Sequence, residues 1–275
     1  MNERKLKNRQ MKHLLFFITI SLLLFTSCNG CHNDEGETNN STDSLKQTEN
    51  NNQGDFKEQE YTLPSELQYG RVGKEFLYDK FYPIGWSKDG KLAYITEPAD
   101  EASGNYWFEI IILDIVNNKV VWSWKPTESE KGDIQSTWKT NYDLFKKNLA
   151  EAEIVQQTGF DLKSTKTSYK GNDYEIILDS KNITDPDYGI DMVKECNISI
   201  VSEQLGKKLV INQKEDEYSR VIGAIVPGFL MCPFDDRIVV ILRKERIGYE
   251  GPPNVVYFEL VGSDLIRGFK KDKNS

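Results

Sequence analysis

Beyond residue 80, apolar and polar positions alternate in short runs rich in Val, Ile, Tyr, Phe and Trp. Residues 91–96, 106–114, 119–124, 174–178, 197–201, 208–211, 237–242 and 255–261 all have this character, with Gly, Asn, Asp, Ser or Pro between them. β-Branched and aromatic side chains suit a pleated, half-buried surface, so each run predicts a strand. Asn117 with Asn118, and Gly171 with Asn172, fall where hairpin turns need residues tolerant of positive φ. Antiparallel pairing is the expected result.

One segment has a different period. Ile134, Trp138, Tyr142, Phe145, Leu149 and Ala152 recur at spacings of four, four, three, four and three. That places them on one face of a helix near residues 134–158, capped by Asp133 and ended by Gly159. The expected fold is therefore mainly β: antiparallel meander or blade-like sheets, partly propeller-like or sandwich, with one amphipathic helix packed on a sheet.

The N-terminus breaks the alternation. Arg4, Lys5, Lys7, Arg9 and Lys12 precede an apolar run of twelve residues, 14–25, which ends in Phe25-Thr26-Ser27-Cys28. The run is too short to span a bilayer as a helix and fits the apolar region of a secretory signal. Its end resembles the lipobox of bacterial lipoproteins, with Phe25 where Leu is commonest. The resemblance covers residues 1–28, and either Met1 or Met11 serves as the start. It implies a diacylglyceryl group on the Cys28 sulfur, cleavage before Cys28 and often acylation of the new amino terminus. Two or three acyl chains anchor a protein stably, because each buried methylene contributes about 0.8 kcal/mol and one chain is marginal.

Residues 29–60 are mostly Asn, Glu, Asp, Thr, Ser, Gln and Gly, too polar to offset the entropy of ordering. The expected organisation is a signal peptide (1–27), a disordered polar tether (28–60) and a single β-rich domain (61–275). Loss of residues 1–27 removes five basic side chains and Glu3, taking the formal charge from −8 to −12, with 30 basic against 42 acidic residues. Such a balance argues against a nucleic-acid partner, which needs a basic face.

The first and last β regions share a plan of strand, tight polar turn, strand, longer loop, strand. The stretch from Trp86 through Ser87, Lys88, Asp89, Gly90 and Lys91 to Tyr94 resembles one blade of the TolB-type β-propeller repeat, with Lys88 in place of that turn's proline. The match covers about 40 residues, and a closed propeller needs at least four blades. It implies a blade-like meander near residues 81–124 and nothing about activity.

Histidine occurs only at positions 13 and 32. The β-rich region thus lacks the imidazole that a Ser-His-Asp or Cys-His site, or His-ligated zinc, requires. Gly85 to Lys91 has P-loop spacing, but Leu92 follows where a hydroxyl is needed, and a β-turn explains it. Ser136 and Lys139 have the Ser-x-x-Lys spacing of penicillin-binding proteins without the partner motifs, so a first helical turn is the plainer reading. Asp185, Asp187 and Asp191 form a weak calcium candidate without the full EF-hand series, against the alternative of a solvated turn. Tyr249, Glu250, Pro252 and Pro253 lie in a Gly- and Pro-shaped loop, the best candidate for a surface site, with an ordinary rigid loop as the alternative. Cys196 and Cys232 either pair outside the cytoplasm or remain buried free thiols.

No cofactor is expected. These features favour a lipid-anchored protein of the bacterial cell envelope, its domain outside the cytoplasm, that binds or scaffolds an envelope protein or glycan without catalysis. The alternative is a carboxylate-dependent hydrolase of envelope or external glycans, using an Asp/Glu pair. Replacing Cys28 with Ala is expected to abolish palmitate labelling and leave the precursor uncleaved; normal labelling of that variant would remove the anchor assignment.

Overall fold

The alternating runs form strands, most of them paired with their neighbours in sequence. The computed structural model describes residues 76–271 apart from 100, 102–106, 128–131, 158, 187, 188 and 217. The expected signal segment, Cys28 and the tether lie outside the described residues. In chain order the elements are β1 (Phe76–Tyr78), β2 (Lys80–Trp86), β3 (Lys91–Glu97), β4 (Glu109–Asp114), β5 (Lys119–Trp124), α1 (Ile134–Thr140) and α2 (Tyr142–Glu151). There follow β6 (Val155–Gln156), β7 (Leu162–Lys163), β8 (Lys166–Tyr169), β9 (Asn172–Thr184), β10 (Asp191–Ser202), β11 (Gly206–Lys214), β12 (Val221–Met231), β13 (Arg237–Arg246) and β14 (Asn254–Asp264).

The protein is mainly β, with antiparallel sheets, one of them curled into a half-barrel. The first sheet has the order β5-β4-β3-β2-β6, the second β1-β14-β13-β12-β7 and the third β11-β10-β9-β8. The short β1 runs parallel to β14. The turns form where the sequence places them: Asn118, Gly171 and Gly90 all have positive φ. Gly85 to Lys91 is accordingly strand, turn and strand.

The sheets stack, and the alternation within each strand sorts its side chains between layers. Ile84, Ile95, Ile110 and Ile112 of the first sheet pack against Ile134, Trp138, Phe145 and Leu149 of the helices. From its other face Trp86, Leu92 and Leu113 meet Leu230, Val239 and Ile241 of the second sheet. The second sheet's far face sends Phe229, Ile238, Val240 and Leu242 against Tyr174, Ile176, Ile198 and Ile200 of the third. The order of layers is helices, first sheet, second sheet, third sheet.

The two regions with a shared plan are both three-stranded meanders, β2-β3-β4 and β12-β13-β14. Trp86↔Leu92 and Met231↔Ile238 are the pairs beside their respective turns. Leu92 faces the second sheet, whereas Ile238 faces the third, so the meanders stack in the same sense. Both end in the same turn: the carboxylate of Asp114 accepts the N–H groups of Val116 and Asn117, and that of Asp264 those of Ile266 and Arg267.

The helical segment differs from expectation. Asp133 caps it, accepting the Ser136 N–H at 2.9 Å, and Ser136 Oγ donates back to Asp133. It is two helices, however, interrupted at Asn141 and finished at Glu151, before Gly159. The stop is a Schellman-type closure in which Ile154 N–H reaches the Leu149 carbonyl at 2.9 Å and Glu153 takes positive φ. Residues 155–156, expected as helix, then pair with β2 as β6.

Phe145 is fully buried, between Trp124 at 4.9 Å and Trp138 at 5.2 Å between ring centroids. Phe145→Ala is expected to lower the unfolding free energy by about 3–5 kcal/mol. Leu144→Ala, at the exposed neighbouring position, should change it by less than about 0.5 kcal/mol. Urea denaturation of the two variants separates these outcomes.

Candidate functional site

The loop between β13 and β14 is held by its own glycines and by one carboxylate. A Cβ on Gly248 would lie 2.3 Å from the carbonyls of Gly251 and Pro253, so the loop closes only around a residue without a side chain. Glu101 bonds the Arg246 guanidinium and accepts the Tyr249 N–H at 2.9 Å. Burial disfavours the Glu101 charge, but these partners outweigh it and hold its carboxyl below the ordinary range. On this frame Tyr249 is 82% exposed, and Glu250, Pro252 and Pro253 are exposed beside it.

The β11–β12 connection lies against this loop, since Ile247 N–H donates to the Arg220 carbonyl at 3.1 Å. Tyr218, 80% exposed, projects from it. The same end holds Asp79, which accepts the Ala99 N–H at 2.8 Å. Burial pushes the Asp79 carboxyl up to about 6, with Glu101 adding to the rise and Arg246 opposing it. This end of the stack thus presents two exposed tyrosine rings, Tyr218 and Tyr249, beside the part-exposed Arg220 and Arg246.

The other expected site residues are spread apart. In the β9–β10 turn, Asp191 accepts from Thr184 Oγ1 at 2.7 Å, and the Asp185 backbone closes the turn onto Gly189 and Ile190. Asp187 lies outside the described residues, among which no three His, Cys, Asp or Glu side chains form a metal-binding group. Cys196 and Cys232 are both free and buried, the former beside Val193 and Val221, the latter between the first and second sheets. Of the two alternatives for these thiols, the structure contains the unpaired one, because the second sheet separates them. Burial pushes both thiols up.

The structure adds a second location, on the outer face of the third sheet. There an open depression of about 440 Å³ is lined by Ile177 and Asp179 of β9, Asn197 and Ser199 of β10, Lys207 and Leu209 of β11, and Lys270 from the C-terminal segment. Register explains the grouping. Ser199 pairs with both Ile177 and Leu209, and Asn197 with Asp179, so these residues form adjacent rows across the sheet. Lys270 joins them because the tail is latched to β11: Lys207 N–H and Lys270 N–H each donate to the other's carbonyl, at 3.0 and 2.9 Å. The approach requires Gly206, where a Cβ would lie 2.3 Å from the Lys270 carbonyl.

Sequence reasoning missed this group. Its members come from three strands and the tail, and the only local sign was polar residues alternating with the apolar ones that face the core. Comparison with protein families, with curated proteins and with solved structures found no match.

Asp79 leads to a pH prediction. Its folded-state pKa is raised, so the stabilisation it provides is complete below the unfolded value of 3.8 and is lost as pH rises through about 6. Asp79→Asn is expected to remove that fall in stability across the interval, measured as unfolding midpoint against pH; an unchanged slope would contradict it.

Proposed function

We propose that this protein is a lipid-anchored component of the bacterial cell envelope whose β-rich module binds another envelope component, protein or glycan, without transforming it. The location rests on the basic, apolar and Thr26-Ser27-Cys28 succession, in which acylated Cys28 holds the chain to the bilayer and the module stands outside the cytoplasm.

Binding in preference to hydrolysis is supported best by the depression on the third sheet. Hydrolysis by an acid pair needs two carboxyl groups about 5–10 Å apart across the scissile bond. The depression has one, Asp179, and no aromatic ring. Its walls offer an amide, a hydroxyl, two ammonium groups and two aliphatic side chains, which can hold a ligand but supply no acid and base partners. The rigid loop bearing Tyr249 adds a second surface of the kind used for contact.

Affinity isolation of the tagged full chain from detergent-extracted envelopes is expected to recover one envelope protein or glycan fraction in constant proportion to the chain. Incubation of the purified chain with envelope glycans is expected to release no new reducing ends. Time-dependent release that disappears in Asp179→Asn would replace binding with hydrolysis.

A further inference from the structure

We propose that the outer-face depression of the third sheet is a binding site for an acidic saccharide, a short sugar chain bearing a carboxylate. The inference rests on the reading of the module as a binding protein and names the chemistry of its ligand.

Two cations there form no ion pair, although Asp179 lines the same depression. Lys207 and Lys270 are hydrogen-bonded partners in an antiparallel bridge, so their side chains leave the backbone side by side on one face, and both line the depression. Like charges directly opposite one another are unfavourable. Elsewhere on this face Lys166 pairs with Glu175 at 3.0 Å and Lys181 with Glu195 at 3.2 Å. Neither Lys207 nor Lys270 has an acidic partner among the described residues. Edge lysines often block pairing with another sheet. At Lys207 that role is redundant, because Lys270 already occupies the edge.

The rest of the depression selects among anions. Asp179 carries no hydrogen bond to described residues, so a carboxylate acceptor remains open to a ligand's own hydroxyl groups, while Ser199, 7% exposed, lies at the floor between Ile177 and Leu209. Ile177, 40% exposed, and Leu209, 60% exposed, lie in the row between Asp179 and the lysines. A ligand spanning the depression places an anion at the lysines, C–H surface over the aliphatic side chains and hydroxyls at Asp179. Inorganic phosphate satisfies only the first requirement, and a neutral sugar only the other two. An acidic oligosaccharide satisfies all three.

Calorimetric titration of the purified full chain at low salt, with trigalacturonate as probe and galactotriose and inorganic phosphate as controls, tests this. Trigalacturonate is expected to bind at least about tenfold more tightly than either control, and Lys207→Ala with Lys270→Ala to weaken it by at least about tenfold. Asp179→Ala decides between recognition and simple attraction. Loss of a negative charge tightens any bare polyanion, whereas loss of a hydroxyl acceptor weakens the sugar. Weaker binding of trigalacturonate to Asp179→Ala supports the proposal. Tighter binding, equal binding of phosphate, indifference to the lysine substitutions, or no binding would each overturn it. Recovery of an envelope partner by a chain that fails this titration would leave the binding role standing and remove only the saccharide.

Discussion

Between Ile238 and Leu242 strand β13 has no face toward water, and much of the architecture follows from that constraint. Val239 and Ile241 enter the core shared with the first sheet, while Ile238, Val240 and Leu242 enter the core shared with the third. An antiparallel sheet commonly keeps one face in solvent. Here the second sheet must be covered twice, which forces the first and third sheets onto its two sides. The first sheet then has an outer face rich in isoleucine, and α1 and α2 cover it. The third sheet closes the stack at the other end with a mostly polar outer surface, as a terminal layer in a stack of repeats must.

Double burial also explains the position of Lys244. It continues the alternation of Val240 and Leu242 toward the third sheet, and its side chain is completely buried. Burial alone works to lower its pKa, but hydrogen bonds to Glu215 at 2.6 Å and Glu259 at 2.7 Å outweigh this and hold it above the ordinary range. Removing one partner from such a cluster leaves an uncompensated charge. The cluster therefore ties the end of β13 to β14 and to the segment after β11, at the end of the stack where the Tyr249 loop emerges.

On the proposed reading, the polar end layer is the binding surface. Its inward side chains are committed to the core, so its outward ones are constrained mainly by solubility and by one another. Most satisfy each other in cross-strand pairs such as Lys181 with Glu195 and Asn212 with Asn197. Lys207, Lys270 and Asp179 lie on a part of this surface where such pairing is incomplete.

The period of apolar residues determined that the protein is mainly β, which segments become strands, where several turns fall and which side of the helical segment is buried. These are local properties, because alternation, turn chemistry and capping by Asp133 act within a few residues. The N-terminal succession ending at Cys28 likewise needs no fold to be read. Tertiary structure decided what depends on contact across sequence. The helix breaks at Asn141 and stops at Glu151 because Ile154 turns back to Leu149 and residues 155–156 pair with β2. The two cysteines are kept apart by the second sheet. The depression exists only once the register of β9, β10 and β11 is set and the tail docks against Gly206. Periodicity predicts which face of a strand is wet, but the neighbours on that face are chosen by pairing over long sequence separations, and no local pattern encodes them.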